Sequence, residues 1–69
     1  MVKNRLKEIR HDHRMNQIEF AAFLGIGQSQ YNRYELQRSQ PTLEIALEIS
    51  EKLGRPVNDI FCLDKQLNP

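Results

Sequence analysis

Within six positions, Gln28, Ser29, Asn32 and Arg33 combine hydrogen-bond donors and acceptors with one permanent cation. At about 100° per residue these four share one side of a helix with Leu36, while Tyr31 and Tyr34 fall on the other. A face of this kind recognises a partner by hydrogen-bond geometry. It does not suit covalent chemistry, because no nucleophile is paired with a base and no glycine-rich phosphate loop occurs, so the chain is not expected to be an enzyme. His11 and His13 invite a metal reading, but two residues apart on a helix they project about 200° from each other and cannot share an ion. No metal or other cofactor is expected. The lone Cys62 has no disulfide partner, which fits a reducing cytoplasm, and it reads as a small buried hydrophobe.

The elements that position this face must come from 69 residues with 39% hydrophobic and 28% charged side chains. That composition is too apolar for a disordered segment and too polar for a membrane protein, so one unit spanning residues 1–69 with a core over about 4–62 is expected. The longest apolar stretch, Phe20 to Ile26, is far shorter than the ~20 residues of a membrane span, and no leader is visible. The net charge of +1 hides an asymmetry. Residues 1–38 carry seven basic and four acidic side chains, whereas residues 39–69 carry three basic and five acidic ones. One end of the molecule therefore suits a polyanion better than the other.

Hydrophobic spacing predicts five short helices. Leu6, Ile9, Arg10 and His13 line one side of a first helix over roughly residues 4–13. Asn16 caps a second, with Phe20, Ala21 and Leu24 inward and Ile18 and Phe23 flanking as additional core. Gly25 ends it, and Gln28 opens a third so soon afterwards that the two helices must cross steeply. Thr42 caps a fourth helix with Leu43, Ala46, Leu47, Ser50 and Leu53 as its buried stripe. Gly54 closes it, Pro56 re-enters, and Val57, Ile60 and Phe61 make a short fifth, after which Leu63 to Pro69 reads as a frayed tail.

Residues 16–41, NQIEFAAFLGIGQSQYNRYELQRSQP, carry a family resemblance. Ala21 is small where two helices approach, Gly25 turns the chain, Ile26 plugs the corner and Glu35 closes the third helix. With Leu6, Ile9 and Arg10 before them and Pro41, Thr42, Leu43 and Glu44 after, the run from about Asn4 to Phe61 resembles the phage-repressor and Cro helix-turn-helix family, also called Xre-like regulators. The resemblance implies an all-α, five-helix, lambda-repressor-like bundle. In similar small regulators Val2 and the segment around Cys62 and Leu63 would add a two-stranded ribbon.

The same resemblance implies double-stranded DNA as partner, with the helix from Gln28 to about Leu36 in the major groove. Gln28, Ser29, Asn32 and Arg33 would meet base edges, Gln28 by pairing adenine N6 and N7, Arg33 by forking onto guanine. Asn16, Gln17, Gln37 and Arg38 would meet phosphates, and Arg10 and Glu35 would form a structural ion pair. The chain departs from the family pattern at Leu36 and Gln37, where Asn-Gly is usual, and at Gly27, where Ser or Thr usually caps. One recognition helix reads few base pairs, so a homodimer on a near-palindromic operator is expected. Val57, Ile60, Phe61, Cys62 and Leu63 are its candidate interface. A DNA-binding repressor is the first reading, and an antitoxin or protein-interaction module on the same fold is the alternative.

Overall fold

The computed structural model describes residues 1–64. A strand β1 (Val2–Asn4) leads into α1 (Leu6–Asp12), α2 (Gln17–Leu24), α3 (Gln28–Glu35), α4 (Leu43–Leu53) and α5 (Val57–Ile60), and β2 (Phe61–Leu63) returns beside β1. The two strands pair antiparallel, Val2 opposite Leu63, Lys3 opposite Cys62 and Asn4 opposite Phe61. All five helices and the terminal ribbon are therefore present. The expected frayed tail is corrected at its start, since Leu63 is a strand residue, and residues 65–69 lie outside the described residues.

Helix starts follow the capping chemistry. Asn16 Oδ1 accepts from the Glu19 amide at 2.8 Å, and the Asn16 amide donates to Glu19 Oε1 at 2.9 Å, a reciprocal box that satisfies two otherwise orphaned donors. Thr42 Oγ1 accepts from the Ile45 amide at 3.3 Å in front of α4. The first helix starts two residues later than its spacing suggested. Asn4 belongs to β1, and its Oδ1 accepts from the Leu6 amide at 3.1 Å, a local turn that launches α1.

Helix ends follow one rule as well. In each of α1 to α4 the residue after the last turn takes a left-handed conformation and two reversed backbone bonds close the end. Gly25 and Gly54 fill that place after α2 and α4, while Arg14 (φ 56°) and Gln37 (φ 60°) fill it after α1 and α3 without a glycine. At Gly25 the choice is doubly constrained, because a Cβ would also stand 2.8 Å from Lys52 Nζ, which donates to the Leu24 carbonyl at 2.9 Å.

Leu6, Ile9, Phe20, Ala21, Leu24, Tyr31, Tyr34, Ile49 and Ile60 form the core, with Met15, Ile26, Ile45, Leu53 and Phe61 packed around it. The α4 stripe differs from expectation. Ala46 and Ile49 are buried and Ile45 and Leu53 half-buried, whereas Leu43 and Leu47 are 73% and 50% exposed. The inward face is thus rotated towards Ile45 and Ile49, because α4 also docks Lys52 on the end of α2. Ile18 and Phe23, expected to extend the core, are 60% and 41% exposed, although the Phe23 ring stacks against Phe20 and lies near His13. Cys62, expected to be a small buried hydrophobe, is exposed too, opposite Lys3 in the terminal ribbon.

Candidate nucleic-acid interface

The steep junction of α2 and α3 is assembled around one carboxylate. Arg10 on α1 reaches Glu35 with two bonds, Nε to Oε2 at 2.6 Å and Nη2 to Oε1 at 3.2 Å, while its Nη1 donates to the Met15 carbonyl at 3.1 Å. The Tyr31 hydroxyl donates to Glu35 Oε2, and Gln17 Nε2 donates to Glu35 Oε1 at 3.0 Å. With side chains only 12% and 3% exposed, Arg10 and Glu35 act as a framework pair. Burial pushes the Glu35 carboxyl up, yet the hydrogen bonds from Arg10, Tyr31 and Gln17 outweigh it and hold the group below the usual carboxylate range. Burial, and then the hydrogen bond to the Glu35 anion, raises the Tyr31 phenol above its ordinary value. The hydroxyl of Tyr34 accepts from Gln30 Nε2 at 3.0 Å, so each of the two buried tyrosines has a partner for its hydroxyl.

From that framework the outer face is presented. Gln28, Ser29 and Arg33 are exposed and Asn32 half-buried, and together with Gln17 they line one open concavity of ≈ 490 Å³. Their sequence spacing is thus converted into a single surface. Gln17 Nε2 also donates to Asn32 Oδ1 at 3.1 Å, which holds the Asn32 amide in one orientation and leaves its Nδ2 to donate outward. This bond was not legible in the spacing. Both protons of Gln17 Nε2 are committed, to Asn32 and to Glu35. At the start of α2 the Asn16 and Glu19 amides are spent in the capping box, so what remains for an anion is the backbone amides of Gln17 and Ile18, where the helix dipole is positive.

The other flank divides. Arg38 is exposed just past the end of α3. Gln37 is turned inward: its Oε1 accepts from the Asn4 amide at 3.1 Å and its Nε2 donates to the Asn4 carbonyl at 3.0 Å. Asn4 and Gln40, which the spacing did not single out, complete this cluster, with Asn4 Nδ2 donating to the Tyr34 carbonyl and to Gln40 Oε1, both at 2.9 Å. The only hint was an asparagine two residues ahead of an apolar helix start.

Of the five residues expected at a dimer contact, Ile60 lies in the core, Val57 and Phe61 are half-buried, and Cys62 and Leu63 are exposed. Val2, 41% exposed, stands opposite Leu63, 63% exposed. Among the described residues no group of three or more metal-ligating side chains occurs, and no helix is long and apolar enough to cross a membrane.

The chain is 35% identical over all of its length to antitoxin PezA of Streptococcus pneumoniae, and it spans 44% of that curated relative. A solved structure from Bacteroides fragilis, provisionally described as a DNA-binding protein, shares the fold with a TM-score of 0.75 at 21% identity, covering 90% of this chain and 100% of the other. A helix-turn-helix family model matches residues 6–60, from the start of α1 to the end of α5. With the crossing helices, the small residues at their corner and the family match all falling on the same segment, the chain belongs to the Xre-like helix-turn-helix family.

Proposed function

We propose that this chain is a sequence-specific DNA-binding transcription regulator, a repressor that reads a near-palindromic operator as a homodimer. The observation that carries this reading is the concavity between α2 and α3, where Gln28, Ser29, Asn32 and Arg33 offer outward hydrogen-bonding groups beside the positive N-terminus of α2. Arg33 forks onto guanine, Gln28 pairs with adenine, and Asn32 donates to a purine N7 or a thymine O4. Ser29 serves either kind of base edge, while the backbone amides of Gln17 and Ile18 just after Asn16, with Arg38, hold phosphates on the two flanks. The whole chain, residues 1–69 with a core over about 4–62, acts as one unit, pairing through the apolar surface of Val2, Cys62 and Leu63. An operator occupied in this way is closed to polymerase, and the exposed thiol of Cys62 suits the cytoplasm.

Selecting bound sequences from random duplex DNA, then repeating the binding at two salt concentrations, tests the reading. An enriched two-fold motif with salt-dependent affinity supports it; enrichment of no sequence overturns it. An antitoxin or protein-interaction role is the second reading, and two observations favour it: the relation to PezA, and the exposed leucines Leu43 and Leu47 beside Glu44, Glu48 and Glu51 on α4. The two roles are compatible, since one face of α3 and the outer face of α4 are separate surfaces.

A further inference from the structure

Gln37 sits in the left-handed conformation at φ 60°, where glycine is the usual occupant, and unlike Arg14 it puts its side chain to use there. In the terminal ribbon the Arg5 amide donates to the Ile60 carbonyl at 2.8 Å and the Asp64 amide to the Met1 carbonyl at 2.6 Å, so odd-numbered residues of the first strand bond towards β2. The peptide groups of Asn4 therefore point to the free edge of β1. There the Gln37 carboxamide meets both, accepting from the amide and donating to the carbonyl, as a neighbouring strand would. Gln40 Nε2 donates to Gln37 Oε1 at 3.0 Å, and Asn4 Nδ2 ties back to the Tyr34 carbonyl on the last turn of α3.

We propose that Gln37 is a positioning residue for DNA reading: its carboxamide acts as a one-residue strand on β1 and fixes the angle at which α3 leaves the body and presents Asn32 and Arg33. This rests on the DNA-reading role proposed above. It also moves the Gln37 side chain away from the phosphate contacts, because its carboxamide is turned inward onto Asn4.

Gln37→Gly deletes the clamp while relieving the left-handed strain, and Gln37→Asn keeps an amide and tolerates that conformation but is one methylene short. Arg14→Gly, at the equivalent position after α1, is the control, since Arg14 is exposed and has no side-chain hydrogen bond among the described residues. Without DNA, residual dipolar couplings should show α3 reoriented against α1 and α4 in both Gln37 variants and unchanged in Arg14→Gly. With DNA, the preference of both Gln37 variants for the best duplex over single mismatches should fall about tenfold, the discrimination of one good base contact. Couplings that stay at the parent values overturn the clamp. A uniform loss of affinity across all duplexes restores Gln37 to the backbone contacts and overturns its role in reading. If the parent chain prefers no sequence, the DNA-reading proposal fails by itself, and the couplings alone decide whether Gln37 holds α3.

Discussion

Residue by residue, the molecule separates side chains that face outward from those consumed by the framework. Arg33→Ala or Gln28→Ala should relax sequence preference, losing about 1–3 kcal/mol of discrimination per bidentate contact, in a panel of duplexes differing at single positions. Glu35→Gln and Arg10→Ala should instead cost stability, about 3 kcal/mol or more, because removing either member strands the other in a nearly closed site. Melting temperatures equal to the parent would contradict this. The shifts at Glu35 and Tyr31 set opposite limits on pH. Glu35 is depressed in the fold, so its contribution is present above the unfolded value of about 4.3 and is lost as pH falls through the folded one. Tyr31 is raised, so its contribution is present below about pH 10 and is lost above it. Thermal melts across pH should therefore fall at both ends, and Glu35→Gln should flatten the acid limb.

Elements here are short, and their ends carry much of their definition. Four helices close with a left-handed residue, but only two of these residues are glycine. At Arg14 the side chain contributes no hydrogen bond among the described residues, so Arg14→Gly should stabilise by about 1 kcal/mol, raising Tm by about 4–8 °C in a domain of this size. At Gln37 the same substitution forfeits three hydrogen bonds and should bring no such gain. A gain equal to that of Arg14→Gly would mean the Gln37 bonds contribute nothing. Capping residues were legible because their chemistry is local: Asn16 and Thr42 bond within three positions of themselves. The stripe of α4 was not, since both Leu43 with Leu47 and Ile45 with Ile49 satisfy helical spacing and only the neighbours of α4 choose between them.

At the scale of the whole molecule, the polar face of α3 proposed to read DNA and the apolar ribbon surface lie on different elements, as the proposed two-fold dimer on DNA would require. With Ile60 in the core and Val57 and Phe61 half-buried, the contact expected from residues 57–63 narrows to Cys62 and Leu63 with Val2 beside them. Light scattering at micromolar concentration should report about twice 8.2 kDa. Leu63→Glu should shift the chain towards monomer and lower operator affinity while leaving the melting of the α3 framework intact. A monomer at every concentration would overturn the homodimer in solution, and a dimer unchanged by Leu63→Glu would place the contact on another face.

What the sequence by itself determined is most of what is written in short range, the Asn4 turn in front of α1 excepted. Helix number, caps, the Gly25 turn and the polar side of α3 all depend on residues within a turn or two of each other, where spacing and rotamer geometry suffice. The tertiary structure decided whatever depends on a partner far along the chain. Gln37 bonds to Asn4 across 33 positions, Gln17 to Glu35 across 18, and Lys52 to Leu24 across 28. A glutamine beside Arg38 has the composition of a phosphate contact until the strand it clamps is brought against it. Which leucines of α4 are buried, and whether Cys62 is covered, turn likewise on the rotation of an element against its neighbours, because an amphipathic pattern limits the inward face only to within about one residue's arc.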